Sequence, residues 1–311
     1  MRKPFFVSLE PSLRAAIYDM VGAAPEHINP DGITRFSTSG QRTNTDGWVI
    51  CSDNRIVRFG CWRQNVEGWW TDTGRGSRAA HSCFQPSGNP AINVEQERRE
   101  RARINASIWS RARPMRVEAH AGTYLLKRGL VLVDYPSALR TTFLSYYEDG
   151  VEKGRYPAML GAVTNQHGEL VTLHRTFLTA GGHKAPVSQP KKLTRASAPL
   201  AGASIKLDQP REINNRLTLG IGEGIETALA CRLGSGIPTW SCVSASGMKS
   251  FIWPVGLESL VIFADNDKHG VGQAAAGHLA SRAVAAGLEV RVLVPQTAGT
   301  DWLDVYVGAA E

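Results

Sequence analysis

Four carboxylates in the last third of the chain have the types and spacing for metal-dependent phosphate chemistry. Each follows a short apolar run: Glu223, Asp265, Asp267 and Asp301. Carboxylates held close together repel one another, so one of them takes up a proton unless a cation is present. Mg2+ binds a few carboxylates together with waters and substrate phosphates, and it can steady both oxygens of a phosphoryl transfer. The set predicts a site for magnesium or manganese, with more than one ion, and Gly222 and Gly224 leave room there for a phosphate.

The elements that must position these carboxylates are expected to be strands alternating with helices. Ile225, Leu229 and Leu233 repeat every four residues, and residues 271–286 are rich in alanine, which is typical of helices. Alternation at this spacing predicts a parallel sheet with right-handed crossovers. Because the carboxyl ends of parallel strands meet at one edge, we expect the acidic side chains to converge there.

Short fragments around these carboxylates follow one another in a distinctive order: Gly222-Glu223-Gly224, Ser246-Gly247, Asp265-Asn266-Asp267, and Asp301 with Asp304. Their order and approximate spacing resemble the Toprim domain shared by primases, topoisomerases and some nucleases. Residues 223–229 are especially similar to Toprim primases of phages and plasmids. The alternative is a doubly wound domain that binds no nucleotide and has acidic loops. The order of all the fragments favours the Toprim domain, in which the glutamate equivalent to Glu223 can also take part in proton transfer.

A second set of fragments precedes this region, at residues 124–130, 154–159, 168–175 and 184–192. Together they resemble the catalytic core of bacterial replicative primases, with its opening element, its basic subdomain and a basic loop that approaches nucleotide phosphates. The resemblance covers the chain from about residue 120 onward. It implies a set of side chains that bind the triphosphate and the primer–template: Arg155, Arg175, Lys184 and Lys192.

The expected fold is α/β, with a C-terminal Toprim domain, a Rossmann-like parallel sheet, at residues 216–311. A basic α+β primase-core subdomain is expected at 117–215. A helix over residues 93–113, capped by Asn93 and ended by Pro114, predicts a helical linker at 91–116. Residues 1–90 are expected to form a small, basic, β-rich module.

The N-terminal module is predicted to combine a helix over residues 8–22, capped by Ser8, with a hairpin of strands 48–51 and 55–60. Arginines alternate with aromatic residues in it. This mixture favours contact with single-stranded nucleic acid, whereas the aromatic side chains are expected mainly to form the core of the module. The candidate nucleic-acid-binding residues are Arg35, Arg42, Arg58 and Arg63.

Zinc is not expected in this module. Cys51, Cys61, His81 and Cys83 are suitable ligand types, but they lack the closely paired spacing of a zinc ribbon or finger. The chain departs here from replicative primases, which usually carry an N-terminal zinc ribbon. The odd number of cysteines, 5 in all, favours reduced thiols over a disulfide framework.

The net charge of +7 is unevenly distributed, because residues 1–217 are basic and residues 218–311 are acidic overall. A basic N-terminal part followed by an acidic metal site suits a surface that binds a polyanion and leads it to a metal centre. The sequence has no run of eighteen apolar residues and no signal-peptide pattern. We therefore expect a cytoplasmic protein without membrane association.

These patterns predict a DNA primase that makes short RNA primers on single-stranded DNA from nucleoside triphosphates, with Glu223, Asp265 and Asp267 as catalytic residues and Asp301 as a further metal ligand. Two alternatives remain open: a Toprim nuclease that uses the same carboxylates, and a non-catalytic nucleic-acid-binding module of a replication complex. The chain has no phosphate-loop sequence. A helicase partner is therefore expected, in trans or in a longer parent protein.

Overall fold

The computed structural model describes residues 4–29, 32–38, 45–51, 56–61, 64, 66–71, 90–148 and 150–309. The chain divides into two compact units, residues 1–85 and 86–311. Some residues singled out in the sequence lie outside the described ranges: Arg42, Arg63, His81 and Cys83. No helix within those ranges is long and apolar enough to cross a membrane.

The first unit is β-rich, as predicted. It consists of α1 (Pro4–Val21) and the strands β1 (Ile33–Phe36), β2 (Gly47–Cys51), β3 (Ile56–Cys61) and β4 (Val66–Thr71). The strands form an antiparallel sheet in sequence order, which confirms the predicted hairpin. Leu13 and Ile17 of α1 are buried in one core with Val49 and Phe59 of the sheet.

The predicted start of the first helix was wrong. The helix α1 begins at Pro4, so Ser8 lies inside it and is not its cap. A proline suits the first helical turn, because its fixed φ is already helical and its missing N–H has no partner to lose there. Pro11 also lies inside the helix.

The second unit begins with α2 (Pro90–Arg111), which starts three residues before the predicted cap, Asn93. A buried side chain, Asn105, fastens this helix to two later segments of the unit. Its amide Nδ2 donates hydrogen bonds to the carbonyl oxygens of Val171 and Arg195, at 3.3 and 3.0 Å. The predicted subdivision of the chain at residues 91, 117 and 216 stays a prediction.

The rest of the second unit is built on one sheet with a helical cover. In chain order its elements are β5 (Arg113–Pro114), α3 (His120–Lys127), β6 (Leu139–Glu148), β7 (Val151–Thr164), β8 (Leu170–Phe177), β9 (Lys191–Leu193), β10 (Ser204–Ile205), β11 (Arg211–Ile213), β12 (Arg216–Gly222), α4 (Ile225–Ser235), β13 (Thr239–Ser241), α5 (Ala245–Lys249), β14 (Ser259–Phe263), α6 (Val271–Ala285), β15 (Glu289–Leu293) and α7 (Trp302–Gly308). The strand order is β15-β14-β12-β13-β10-β7-β6-β5, with β8 paired to β7 and β9, and β11 paired to β12. The helix was predicted to extend to Arg113, but α2 ends at Arg111 and residues 113–114 form β5.

The C-terminal strands β13, β12, β14 and β15 pair in parallel, as predicted. Alternate residues of β14 pack on opposite faces of the sheet. Leu260 and Ile262 share a core with residues of α5 and α6, whereas Val261 and Phe263 contact Cys231 of α4. Helices cover both faces, which explains why these strands read as uninterrupted apolar runs.

The parallel strands continue directly into the antiparallel strands through β10, a junction that the sequence did not predict. Ile205 of β10 pairs antiparallel with Val163 of β7 and also with Ser241 of β13. The junction is tight. A Cβ atom on Gly161 would lie 2.7 Å from Ile205 Cδ1 and 3.1 Å from Ile225 Cδ1. Gly161 therefore allows the start of α4 to approach the sheet.

The role of Asn105 in fastening α2 can be tested by substitution. Asn105→Leu removes the donor and leaves the Arg195 carbonyl oxygen without it, so we expect the free energy of unfolding to fall by about 1–3 kcal/mol. Urea unfolding of the full chain at neutral pH measures the change. The control is Arg98→Leu on the exposed face of the same helix, with an expected effect within about 0.5 kcal/mol. Equal effects of the two substitutions would contradict the role of Asn105.

Candidate active site

The acidic side chains follow strands that end together. Glu223 comes directly after β12, and Asp265 lies two residues beyond β14. These strands are parallel neighbours whose last residues, Gly222 and Phe263, are in register. Burial first, and then the charges of Asp301, Glu223 and Asp267, raise the pKa of Asp265. The structure thus brings the other three predicted metal ligands within electrostatic reach of Asp265.

Hydrogen bonds between two loops bring Asp301 to this edge of the sheet. The loop after β14 and the segment before α7 are joined by the backbone of Asn266, whose N–H donates to Thr300 O at 3.1 Å. The Asn266 side chain donates from Nδ2 to Pro295 O at 2.8 Å, and Trp302 Nε1 donates to Ala264 O at 3.1 Å. The segment that carries Asp301 is therefore held in place by the hydrogen bonds of Asn266 and Trp302, and not by a bond between Asp301 and the other carboxylates.

The carboxyl group of Asp265 is the most perturbed member of the acidic set. Burial and the neighbouring carboxylates raise its pKa to about 7. Its Oδ1 atom is buried and has no hydrogen-bond partner among the described residues. Burial also raises the pKa of Glu223, opposed by the Ala245 N–H and assisted by the charge of Asp267. Both groups therefore carry an electrostatic cost when they ionise.

Asp267 has a structural task that the sequence interpretation missed. Its Oδ1 accepts hydrogen bonds from the N–H groups of His269 and Val271 at 2.9 and 3.1 Å, and its Oδ2 accepts one from Gly272 N–H at 2.7 Å. The backbone N–H of Gly272, ahead of the other contributions, lowers the pKa of Asp267. The carboxylate thus satisfies free donors at the start of α6.

Asp301 also has a capping task. Its Oδ1 accepts from the Asp304 N–H at 2.9 Å, and the Asp304 carboxylate accepts from the Asp301 N–H at 3.1 Å. This reciprocal pair is the capping box of α7. Asp304 is therefore a partner in this cap and is exposed.

The edge of the sheet that carries Glu223, Asp265, Asp267 and Asp301 is called the acidic edge. Its carboxylate oxygens are the kind of donor that suits a hard divalent cation. Within the described ranges, no three His, Cys, Asp or Glu side chains already lie close enough together to hold an ion. The buried Oδ1 of Asp265 is nevertheless an oxygen donor without a partner in a place with excess negative charge. Oxygen donors of this kind suit Mg2+ or Mn2+. Glu223 and Asp265 are the ligands that this observation favours, and Asp267 and Asp301 keep lone pairs that their caps do not use.

Among the predicted basic residues, Lys184 lies within electrostatic reach of Asp301. Partial desolvation is the first cause that lowers the pKa of Lys184, followed by the charges of Lys191 and Arg128, whereas the charges of Glu226 and Asp301 raise it. Lys184 is exposed on the loop that follows β8, where it forms an isolated bridge with Leu178. A lysine here could meet a phosphate bound beside the carboxylates.

Arg175 and Lys192 are engaged elsewhere. They pair in register across β8 and β9 and so lie on one face of these strands. Arg175 donates from Nη2 to Leu193 O at 2.7 Å, and Lys192 donates from Nζ to Tyr147 O at 3.0 Å. Arg155 is exposed on β7 opposite Ser145. The phosphate-binding roles of these three residues stay predictions.

A buried network on the other face of β9 was not predicted. Lys191 pairs with Thr176 of β8, and its Nζ donates to Glu226 Oε2 at 2.9 Å. Tyr124 of α3 donates from its hydroxyl group to Glu226 Oε1 at 2.7 Å. Lys191 and Lys192 are adjacent in sequence, and the pairing of β8 with β9 shows that their side chains lie on opposite faces of the strand.

In the first unit, Arg35 on β1 and Arg58 on β3 are exposed. Their contact with nucleic acid stays a prediction, as does that of Arg42 and Arg63. Cys61 is buried, with its sulfur 3.7 Å from the Thr38 hydroxyl oxygen. Whether zinc binds stays untested, since two of its four candidate ligands lie outside the described ranges.

Comparison with protein families identifies the acidic region. Residues 218–310 match the family model of the Toprim domain. The C-terminal part of the chain is a Toprim domain. The predicted Toprim fold and its α/β class are thereby confirmed. Residues 96–205, which precede the Toprim domain, match a model described as a domain of unknown function, DUF7146. No curated protein matches the chain.

Several solved primase structures are similar to the chain at low identity. A DNA primase domain from Pseudomonas aeruginosa is 16% identical over 72% of this chain and 68% of its own, with a TM-score of 0.36. The primase fragment of the bacteriophage T7 primase-helicase protein is 15% identical over 64% and 71%, with a TM-score of 0.39. The zinc-binding and RNA polymerase domains of the Aquifex aeolicus primase are 12% identical over 94% and 80%, with a TM-score of 0.38. These TM-scores add no weight to the family match.

Asp265 and Asp267 should affect stability in opposite directions when divalent ions are absent. A raised pKa means that Asp265 stabilises the folded chain only at low pH and that this contribution is lost as pH rises through about 7. Asp265→Asn should therefore raise the melting temperature at pH 8, with a smaller gain at pH 5. The lowered pKa of Asp267 means that its contribution is present at neutral pH and is lost in acid. Asp267→Asn should therefore lower the melting temperature at pH 8.

Thermal melts of both variants in a chelator, from pH 5 to pH 8, measure these shifts. The two variants control for each other, because the same substitution is made two residues apart in one loop. A melting temperature that falls in both variants at pH 8 would contradict the account of Asp265.

Proposed function

We propose that this chain is a DNA primase that joins nucleoside triphosphates into short RNA primers on single-stranded DNA. The reaction takes place at the acidic edge of the Toprim domain. Glu223 and Asp265, with Asp267 and Asp301, hold the divalent ions, and Lys184 approaches the triphosphate. The proposal includes the remaining roles expected from the sequence, for Arg155, Arg175 and Lys192 at the nucleotide and for the arginines of the first unit on DNA.

The observation that carries this proposal is the state of Asp265. Its carboxyl group has a buried oxygen with no hydrogen-bond partner in the described part of the chain and a pKa raised to about 7. A purely structural carboxylate would be paired or bonded, as those of Asp267 and Asp301 are. Side chains with strongly shifted pKa values are typical of sites that bind an ion or transfer a proton.

The chain's own residues account for several parts of a nucleotidyl transfer. A bound magnesium or manganese ion would neutralise the carboxylates and polarise phosphate oxygens. The ammonium of Lys184 attracts the triphosphate to the acidic edge and orients it. The carboxylate of Glu223 has a raised pKa, which suits it to accept the proton of an attacking 3′-hydroxyl group.

The partners follow from the same reaction. The template is single-stranded DNA, the substrates are nucleoside triphosphates, and a helicase acts in trans or in a longer parent protein in the cytoplasm. The proposed organisation is a basic module at 1–90, a helical linker at 91–116, a primase-core subdomain at 117–215 and the Toprim domain at 216–311.

Primer synthesis tests the proposal directly. The full chain is incubated with single-stranded DNA, labelled nucleoside triphosphates and Mg2+ or Mn2+, and products are separated by size. We expect short products that depend on the template. Asp265→Asn and Glu223→Gln should each reduce the rate at least about 100-fold, because each removes a carboxylate that would hold the ion stabilising the charge of the reacting phosphate.

Asp134→Asn, at an exposed position outside the Toprim domain, is the matched control and should keep the wild-type rate. Both site variants should melt no lower than the wild type at pH 8, so a lost activity cannot be ascribed to unfolding. Metal-dependent degradation of the DNA without primer synthesis would instead identify a nuclease. Primer synthesis that persists in both site variants would refute the assignment of the site.

A further inference from the structure

Glu226 is a buried carboxylate that the proposed reaction does not use. It lies in the first turn of α4, three residues after Glu223, and is 4% exposed. Its two oxygens are occupied by groups from different segments, the Tyr124 hydroxyl group at 2.7 Å and the Lys191 ammonium at 2.9 Å. The network therefore joins α3, β9 and α4 at one point.

The ion pair is asymmetric in its exposure. The side chain of Glu226 is 6% exposed, whereas that of Lys191 is 38% exposed. Burial alone would raise the pKa of Glu226, but the charge and hydrogen bonds of Lys191 and Tyr124 lower it to about 2. The carboxylate is thus a fixed, ionised anchor in the interior, and the cation that it holds remains accessible to solvent.

Stability is a poor explanation for such a pair. Taking the Glu226 carboxylate out of water is costly even when it is paired, and well-packed apolar residues often stabilise a core as well or better. A lysine side chain also loses rotamer entropy when it is held in one position. Fixing a cation in place is the property that an apolar replacement would not provide.

The position of Lys191 gives this fixation a purpose. Its charge acts on Lys184, whose surroundings also include Arg128 and Asp301. Three cations that lie near one another repel, and among the groups that act on Lys184, Glu226 is the fully buried counter-charge. An anion with several negative oxygens would be attracted to this cationic group beside the acidic edge.

We propose that Glu226, with Tyr124, is a positioning residue that holds the Lys191 ammonium at the first turn of α4, where it contacts the phosphates of an incoming nucleoside triphosphate. Glu226 itself does not touch the substrate. This inference rests on the proposed function for the identity of the ligand. Glu226 also connects the phosphate-binding cations to the metal-binding carboxylates, because Glu226 and Glu223 belong to the same strand-to-helix turn between β12 and α4.

The sign of one substitution separates positioning from simple electrostatics. Glu226→Gln keeps the size of the side chain and removes its charge. If only charge mattered, the loss of a negative group near a phosphate site would strengthen the binding of an anion. If Glu226 positions Lys191, binding should weaken about tenfold, the loss expected for one misplaced charge-assisted hydrogen bond.

Binding of inorganic triphosphate to the full chain without metal ions, measured by calorimetry, is the first readout. It does not require primase activity, so it remains informative if no primers are made. Glu226→Gln should bind about tenfold more weakly, and Tyr124→Phe should bind more weakly by about twofold to threefold, because it removes one of the two groups that hold the Glu226 carboxylate while Lys191 remains. The exposed carboxylate in Glu212→Gln is the matched control and should leave binding unchanged. Melting curves verify that each variant is folded.

Two further results complete the test. In primer synthesis, Glu226→Gln should raise the KM for nucleoside triphosphates about tenfold and change kcat by less than about threefold, since a lost binding contact acts mainly on KM. In a Lys191→Met background, Glu226→Gln should have no further effect on triphosphate binding, because no ammonium remains to be positioned.

Several outcomes would overturn the inference. They are unchanged or tighter triphosphate binding by Glu226→Gln, wild-type binding by Tyr124→Phe, an equal loss in the Lys191→Met background, or no triphosphate binding by the wild type. Triphosphate binding that depends on Glu226, in a chain that makes no primers, would instead retain the positioning role and reject the primase.

Discussion

Mutual repulsion between carboxylates is the constraint that the Toprim domain must overcome. Parallel strands bring Glu223 and Asp265 to one edge because β12 and β14 end in register. The segment before α7 is then hydrogen-bonded to the loop after β14 through Asn266 and Trp302, which holds the segment that carries Asp301 against the loop that carries Asp265. Backbone and side-chain bonds thus hold like charges together, and a cation would relieve repulsion in an edge that the fold has already formed.

Much of this edge could be predicted from the sequence, because its signals are local. Apolar runs covered on both faces, alternating with helical patterns, identify parallel strands, and their ends locate the carboxylates. The capping roles also have a local signal. Asp301 with Asp304 before an apolar run is a capping box, and Asp267 lies just ahead of the glycine that precedes α6. The same carboxylate can end a helix and face a metal, so a motif match alone does not separate the two tasks.

Other features could not be predicted, since they depend on contacts between distant segments. The strand β10 has two residues, too few for a periodic pattern, yet it joins the antiparallel and parallel strands into one sheet. Neighbouring residues of β9 point to opposite faces. Which of Lys191 and Lys192 lies against Glu226 therefore depends on the pairing of the strands, because Glu226 is 35 positions away in sequence.

The abundance of arginine is a poor guide to where a phosphate binds. On α2, Arg99, Arg101 and Arg103 each form an ion pair with a glutamate one turn earlier. Such exposed pairs add little to the stability of a helix, and their opposite charges cancel much of its field at a distance. A few cations close to the acidic edge can have a greater effect than a long basic face, because they act where the phosphate charge is greatest. The net charge of the chain therefore affects its long-range attraction to a polyanion. The geometry around Lys184 and Lys191 determines where a phosphate group can bind.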